Sequence, residues 1–317
     1  MLLFGSSFKI QLNNLNETTP GLKGNPLNLQ DRQHYSCLYQ SSINSHQMTK
    51  KKWGQNFLIH NNVAETIVEA ADVHNGDSIL EIGPGRGMLT RSLLERGAQV
   101  TAIEVDPALC EKLRKQFEHE ARFTLIDQDI MKVSPEDLAK IVSAPAKVVA
   151  NLPYNIATPL LLRMLFVRKA WHSLTIMVQL EVAERICASP DSGKIYGPLS
   201  LVGALGFERN IIKIISPDSF RPTPKVNSAI IQLIPHSSIL THEEEKQFLK
   251  WSHLLFQQRR KTLLNGIRRH FPEWFQNCEN SLREKYGLRR PESLDFSEWL
   301  VLFSYYLQQI TSVPRKF

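Results

Sequence analysis

The sequence predicts an α/β fold, with a mostly parallel sheet covered by helices on both faces and a small all-helical region at the C-terminal end. Three observations lead to this prediction. Short apolar runs alternate with helical patterns between residues 78 and 187, which is typical of a parallel sheet. Two later apolar runs enclose a proline-rich segment and predict an antiparallel pair added to the sheet edge. From residue 241 onward only helical patterns follow.

The chain begins with a segment of different character. Residues 1–47 are rich in Asn, Ser, Gln and Gly and have neither helical nor strand periodicity, so we expect them to be disordered. A targeting peptide is the alternative, but basic residues are few there and acidic residues are present. Met48 is the expected true start of the protein, because every coherent pattern comes after it.

The elements that follow alternate in a regular order. A first helix is predicted to begin with Asn62 as its N-terminal cap. The predicted strands are residues 78–82, 100–104, 123–126, 148–150, 173–178, 211–215 and 229–234. The later predicted helices are residues 88–96, 107–118, 158–166, 181–187, 243–257, a stretch ending near 270, and 297–311. We place a domain boundary at Pro235-His236, which gives a sheet domain of residues 48–235 and a helical domain of residues 236–317.

Composition narrows the class of protein. The chain has 317 residues and a net charge of +7, which favours an anionic partner, with nucleic acid as the first candidate. A basic protein without such a partner is the alternative. The four cysteines form neither a Cys-x-x-Cys pair nor a His/Cys cluster, so we expect a reducing compartment and no metal site. No apolar run approaches the ~20 residues of a membrane span.

A glycine-rich loop after the first predicted strand is the candidate cofactor site. In Gly83-x-Gly85-x-Gly87 the missing side chains let the backbone approach a ligand closely. Glu104 ends the next strand, about 20 residues after the loop begins, where an acid can accept both hydroxyls of a ribose. This arrangement suits either NAD or S-adenosylmethionine.

Two acidic residues favour the methyl donor S-adenosylmethionine over NAD. Glu81 lies just before the loop, where it suits a positive sulfonium and ammonium but disfavours a pyrophosphate. Asp129 follows the third strand, where a carboxylate can accept from an adenine amino group. The loop spacing also differs from the Gly-x-Gly-x-x-Gly of dinucleotide sites. A solvated strand end is the alternative for either acid taken alone.

Residues 151–155, Asn-Leu-Pro-Tyr-Asn, are the candidate catalytic segment. They follow an apolar strand, and ligands of open α/β sheets bind at strand ends. The side-chain oxygen of Asn151 and the carbonyl of Leu152, which the proline holds extended, can accept the hydrogens of an exocyclic adenine amine. Tyr154 offers a face for stacking the base, and Phe220 can close over its other face. A turn with Asn as a cap and Tyr in the core is the alternative.

Basic residues in three parts of the chain are the candidate RNA contacts. Residues 259–290 contain nine Lys or Arg against three acids, and residues 260–269 are predicted to lie on consecutive turns of one helix. Phosphate contact is the functional interpretation, and a solvated helix face is the alternative. The predicted RNA-binding residues are Lys51, Lys52, Arg221, Lys225, Arg259, Arg260, Lys261 and Arg268.

Four motifs, in their order along the chain, resemble the KsgA-type (RsmA) ribosomal RNA adenine dimethyltransferases. They are residues 54–58 (Gly-Gln-Asn-Phe-Leu), 81–87 (Glu-Ile-Gly-Pro-Gly-Arg-Gly), 151–155 and 224–228 (Pro-Lys-Val-Asn-Ser). The resemblance runs from about Lys51 to Gln309 and implies a Rossmann-like methyltransferase domain with a seven-stranded sheet, a helical C-terminal domain and S-adenosylmethionine as cofactor. The implied cofactor contacts are Asn56, Leu58, Gly83, Glu104, Asp129 and Asn151.

The resemblance also implies a substrate. It is two adjacent adenosines near the 3′ end of 16S rRNA in an assembling 30S subunit, each dimethylated at its exocyclic N6 amine. We expect a cytoplasmic monomer that needs neither a metal nor a membrane.

Three alternatives to this function stay open. The first is an Erm-type methyltransferase of 23S rRNA, which usually has Ile where this chain has Leu152. The second is a non-catalytic assembly or transcription factor on the same fold, against which the intact set of predicted site residues argues. The third is an NAD-dependent oxidoreductase, for which the sequence has no hydride-chemistry site.

Overall fold

The computed structural model describes residues 55–312, so the predictions for residues 1–47 and for Lys51 and Lys52 lie outside the described residues. The strands are β1 Phe57–Leu58, β2 Ser78–Ile82, β3 Gln99–Glu104, β4 Phe123–Asp127, β5 Ala146–Asn151, β6 Trp171–Gln179, β7 Phe207–Ile215, β8 Phe220–Arg221 and β9 Ser228–Pro235. The helices are α1 Asn61–Ala70, α2 Met88–Glu95, α3 Pro107–Gln116, α4 Pro135–Leu138, α5 Ala157–Phe166, α6 Leu180–Cys187, α7 Pro198–Gly206, α8 His242–Phe256, α9 Leu263–His270, α10 Pro272–Tyr286 and α11 Phe296–Ser312.

Seven strands form one sheet in the order β4-β3-β2-β5-β6-β9-β7. The strands β2 to β6 pair in parallel, and β9 pairs antiparallel with both β6 and β7. This confirms the predicted α/β fold and the antiparallel pair at the sheet edge. The chain order reverses between β2 and β5, and open α/β sheets bind ligands at the carboxyl ends of the strands beside such a reversal.

The central strands form because their side chains are apolar on both faces. Ile79 and Leu80 of β2 and Val149 of β5 are fully buried between the helical layers, which is the pattern of a parallel strand covered on both sides. Helix α1 packs its apolar face, including Ile67, into the same core. The predicted cap at Asn62 is wrong. The helix starts at Asn61 after His60, which makes no side-chain capping bond.

The C-terminal helices pack around an aromatic cluster. The ring centroids of Trp251 and Trp299 are 5.7 Å apart, and Phe256 stacks on Trp299 at 5.1 Å. A buried ion pair at 2.7 Å joins Glu245 of α8 to Arg168, which follows α5. The change from strands to helices falls at the predicted boundary near Pro235-His236, although the division into two domains stays a prediction.

The segment containing residues 260–269 differs from its prediction. Arg260 and Lys261 lie in the turn before α9, and only the residues from Leu263 onward are helical. None of the helices within residues 55–312 has the length and apolar content that crossing a bilayer requires. Across that same range, no group of three or more His, Cys, Asp or Glu side chains is arranged to hold a metal ion.

Candidate active site

A cavity of about 200 Å³ is lined by the last residue of each of three neighbouring parallel strands, Ile82, Glu104 and Asn151. The predicted site residues that line it are Asn56, Leu58, Gly83, Glu104, Asp129, Asn151, Leu152 and Tyr154. All six predicted cofactor contacts therefore share one cavity with three of the four predicted catalytic residues. Their binding and catalytic roles stay predictions.

The glycine loop supplies one wall of the cavity in a conformation that favours glycine. Gly83, Gly85 and Gly87 have φ angles of +69°, +60° and +77°, a region that L side chains rarely adopt. A Cβ on Gly85 would also come within 3.1 Å of the Phe57 ring. At its glycines the loop thus presents backbone to a ligand.

Glu104 holds this loop against the end of β3. Its buried carboxylate accepts hydrogen bonds from the backbone N–H of Gly85 at 3.2 Å and of Val105 and Asp106 at 2.9 and 3.0 Å. A carboxylate has about four lone-pair sites, so the oxygen facing Gly85 can accept further bonds. The carboxylate is therefore placed and oriented to receive ligand hydroxyls.

Asp129 also lines the cavity and is half-buried. Its Oδ1 accepts from the backbone N–H of Met131 at 2.9 Å and so caps the short 3₁₀ helix Ile130–Lys132. That bond fixes the side chain and uses one carboxylate oxygen. The second oxygen is the one that can accept from a ligand amine.

Glu81 lies inside the cavity wall and is only 1% exposed, so a solvated strand end is not its environment. Thr90 Oγ1 donates to its carboxylate at 2.7 Å. Burial raises the pKa of Glu81 from 4.5 to about 8, the nearby charge of Glu104 adds to the rise, and the Thr90 bond opposes it. A cationic ligand beside it would favour the charged carboxylate.

We expect the variant Glu81→Gln to be more stable than the unmodified protein at high pH. The folded protein binds this proton more tightly than the unfolded chain does. The free energy of unfolding of the unmodified protein therefore falls as the pH rises from about 5 to about 8. Glutamine accepts the same Thr90 bond without ionising, so the advantage of the variant should grow between about pH 5 and pH 8 and level off above that.

Urea denaturation of the ligand-free protein at several pH values measures this difference. Glu111→Gln, on the exposed face of α3, is the matched control and should show no such trend. A constant difference between Glu81→Gln and the unmodified protein across this pH range would contradict a buried, proton-binding Glu81.

Asn151 and Leu152 are held by bonds that leave acceptor atoms free for a ligand. The amide nitrogen of Asn151 donates to the backbone carbonyl of Asn56 at 3.3 Å, so its side-chain oxygen is the atom left to accept. The backbone N–H of Leu152 donates to Met177 of β6 at 3.1 Å, which keeps the chain extended up to Pro153. The two residues whose acceptors were predicted from the sequence thus both line the cavity.

Tyr154 follows directly and is half-buried beside them. Its hydroxyl lies 2.7 Å from Ser228 Oγ, a residue to which the sequence motif alone assigned no role. Burial raises the pKa of the Tyr154 phenol, and the Ser228 bond partly offsets that rise. The ring is therefore neutral at physiological pH, as a stacking surface for a base requires.

Phe220 does not lie where a second stacking wall requires. Its side chain is 0% exposed, belongs to the core and does not line the cavity. The reason is its strand pairing. β8 pairs antiparallel with β1, and Phe220, opposite Leu58, packs with it in the core. The prediction that this ring closes over the base is not met in this structure.

Residues 55–58, here called the strap, line the cavity and lie against the glycine loop. Phe57 contacts the loop at Gly85, and the guanidinium of Arg86 lies 4.6 Å from the Phe57 ring centroid, within cation–π range. The strap is held by β8, since Phe57 pairs with Arg221. No role was predicted for Arg86 from the sequence, although its place between two loop glycines was a signal for a residue at the cavity.

The predicted RNA contacts divide into tethered and unpaired side chains. Arg259 forms an ion pair with Glu292 at 2.8 Å and donates to the backbone carbonyl of Tyr196. Arg268 donates to Asn265 at 2.7 Å. Arg221 ends the strand β8, and its guanidinium donates to Thr223 Oγ1 at 3.2 Å. Among the described residues, those of the predicted set that are exposed on loops or turns are Lys225, Arg260 and Lys261.

Comparison with known sequences gives one consistent family. The chain matches the family described as Ribosomal RNA adenine dimethylase over residues 46–293. It is 40% identical over 264 residues to the Ribosomal RNA small subunit methyltransferase A of Lactobacillus helveticus, which covers 79% of this chain and 89% of that protein. The protein of the same name from Prosthecochloris aestuarii is 37% identical, with 80% and 93% covered.

Two solved structures share the fold. A dimethyladenosine transferase from Plasmodium falciparum has a TM-score of 0.66 and 25% identity, with 80% of this chain and 98% of that chain covered. The 23S rRNA methyltransferase ErmE has a TM-score of 0.58 and 26% identity, with 79% and 99% covered. Both similarities extend beyond the sheet, because each covers more than three quarters of this chain.

Proposed function

Because the chain belongs to the ribosomal RNA adenine dimethylase family, we propose that it dimethylates the N6 amines of two adjacent adenosines near the 3′ end of 16S rRNA. It is an S-adenosylmethionine-dependent rRNA methyltransferase, as its family and its structural neighbours are. One observation carries the proposal. The acceptors of Asn151 and Leu152 and the ring of Tyr154 line the same cavity as Glu104 and Asp129.

The cavity fits the cofactor by the chemistry of its lining. Gly83 and Gly85 present bare backbone to a ligand, Glu104 offers a fixed carboxylate for the ribose hydroxyls, and Asp129 offers a free oxygen for the adenine amine. Glu81 adds a buried carboxyl near the glycine loop that suits a cation. When bound, this cofactor supplies an electrophilic methyl group.

The protein's own part in the reaction is to hold the substrate amine. The side-chain oxygen of Asn151 and the carbonyl of Leu152 accept its two hydrogens, which draws the nitrogen lone pair out of conjugation with the ring. Tyr154 holds the base by stacking. After the new bond to carbon forms, the nitrogen is cationic and loses a proton to water, so positioning and electrostatics supply the rate.

The small subunit is favoured over the large subunit as the source of substrate. The relatives at 37% to 40% identity are named for the small subunit, whereas the ErmE structure is 26% identical. Leu152 is typical of the small-subunit enzymes as well. We place the activity on the assembling 30S particle in the cytoplasm, with the protein acting as a monomer.

Mass spectrometry of rRNA tests this proposal. The protein and S-adenosylmethionine are incubated with unmethylated small-subunit particles and, separately, with large-subunit particles. Dimethyladenosine at two adjacent positions near the 3′ end of 16S rRNA is the expected product. Methylation of 23S rRNA alone would assign the chain to the Erm type, and binding without methylation would make it a passive factor.

The helical region, residues 236–317, is the proposed RNA-recognition domain beside a catalytic domain of residues 48–235. We expect reversal of both exposed cations in the turn before α9, Arg260→Glu with Lys261→Glu, to weaken particle binding by at least about tenfold at moderate salt. The dependence of log Kd on log salt should flatten by about 1.5, because about two phosphate contacts are lost. Arg259 is left unchanged, since its ion pair with Glu292 would mix the loss of a phosphate contact with the loss of a contact inside the protein.

Filter binding across a range of salt concentrations measures both effects. The matched control reverses two exposed lysines of α3, Lys112→Glu with Lys115→Glu, which changes net charge equally. Equal losses for the two double variants would mean that net charge, and not this turn, governs RNA binding.

A further inference from the structure

We propose that Ser228 is a positioning residue for the methyl transfer, which anchors the Tyr154 ring so that the target base is presented correctly for both methyl additions. This inference rests on the proposed function, because it assigns Tyr154 the base. The juxtaposition that carries it is a hydrogen bond of 2.7 Å between Tyr154 and Ser228, residues that are 74 positions apart in the sequence.

Ser228 lies in a strand that is paired on both sides. It is the first residue of β9, and its Cα is partnered on one side by Gln179 of β6 and on the other by Ile215 of β7. The residue before it, Asn227, accepts a backbone bond from Leu180 at 2.9 Å. The serine is 0% exposed, so its hydroxyl cannot be satisfied by bulk water. The position of the Ser228 side chain is therefore set by the sheet.

Tyr154, in contrast, lies in the connection between β5 and α5, where connecting segments move more than strands do. A ring stacks through its face and does not need a hydroxyl for that purpose. The hydroxyl of Tyr154 instead lies within hydrogen-bond distance of Ser228, which ties the ring edge to the sheet. With its backbone held at Asn151 and Leu152 and its far end held at Ser228, the ring has little freedom to turn.

The reaction makes this restraint useful. The same amine has to be presented twice, first with two hydrogens and then with one hydrogen and one methyl group. The second presentation offers fewer hydrogen bonds to Asn151 and Leu152, so the stacking surface carries more of the positioning. We therefore expect loss of the anchor to slow the second methyl addition more than the first.

The experiment compares Ser228→Ala, Tyr154→Phe and the double variant with the unmodified protein on unmethylated small-subunit particles. The readouts are the ratio of mono- to dimethyladenosine with time, kcat and KM for the particle, and the Kd for S-adenosylmethionine. Either single variant should lower the rate of the second addition by about tenfold, as the loss of one hydrogen bond predicts. The double variant should be no worse than either single one, because both remove the same bond.

Ser200→Ala is the matched control. Ser200 is also 0% exposed, donates to the carbonyl of Arg185 at 2.7 Å and does not line the cavity. It should lower stability without changing the product ratio, and the cofactor Kd should be unchanged in all variants.

Additive effects of Ser228→Ala and Tyr154→Phe would overturn the proposal. It would also be overturned if Ser228→Ala gave the same ratio of mono- to dimethyladenosine as the unmodified protein. If Ser228→Ala does not fold, Tyr154→Phe decides alone, and a normal product ratio in that variant refutes the anchor. An unmodified protein that methylates no small-subunit rRNA would instead remove the proposed function, and this inference with it.

Discussion

Asn151→Ala is expected to lower the rate of methyl transfer by about 1000-fold, the size of loss seen when one preorganised polar contact to a reacting centre is removed. The substitution deletes the acceptor that we assign to the target amine. It also deletes the bond from the amide nitrogen to Asn56, which lies in the strap. Folding should persist, because Asn151 ends a strand and is only half-buried.

Transfer of tritiated methyl groups to unmethylated particles measures the loss, and thermal denaturation checks the fold. Asn210→Ala is the matched control, since this asparagine is exposed on the edge strand β7 and does not line the cavity. Full activity of Asn151→Ala would remove this side chain from the mechanism. A large loss of cofactor affinity with unchanged single-turnover rate would place its role in binding alone.

Glu104→Gln is expected to weaken S-adenosylmethionine binding by about 100-fold. The carboxylate is the predicted acceptor of both ribose hydroxyls, and hydrogen bonds to a charged group contribute about 1.5–3 kcal/mol each. In this structure both oxygens also accept backbone N–H groups, of Gly85 on one side and of Val105 and Asp106 on the other. An amide turns one of these acceptors into a donor that faces another donor.

Calorimetric titration with adenosine and with 2′,3′-dideoxyadenosine separates ribose recognition from damage to the loop. The unmodified protein should prefer adenosine, and Glu104→Gln should lose that preference. Glu95→Gln, exposed at the end of α2, should behave as the unmodified protein does. An undiminished preference for adenosine in Glu104→Gln would show that another group reads the ribose.

The parallel half of the fold was predictable because its signals are local. Residues 78–82 are a strand in sequence and in structure, since five consecutive residues between turn signals can bury both faces. Helix α7, Pro198–Gly206, was not predicted, because an apolar run that is buried on all sides does not show helical periodicity. Helix α10 was also missed, although Pro272 at its first turn is a start signal.

Some residues of the candidate site were predictable from the sequence, and others were not. Gly83, Glu104 and Asn151 were predictable because each comes at the end of a strand, and parallel strands end at one edge of the sheet. The direction of Phe220 was not, because a strand of two residues has no alternation to read. The partner of Tyr154 was also beyond sequence reasoning, since the bond to Ser228 joins residues 74 positions apart.

The strap and its partner strand β8 link cofactor exchange to RNA contact. Each methyl group needs a fresh cofactor, so the spent one has to leave between additions. Phe57 lies against the glycine loop, and its strand partner Arg221 is a predicted RNA contact. Parting the strap from β8 to exchange cofactor would therefore loosen the grip on RNA as well. This pairing of the strap with β8 favours a distributive enzyme, which releases monomethylated RNA before the second addition. An early excess of monomethyladenosine in the particle assay is the expected observation.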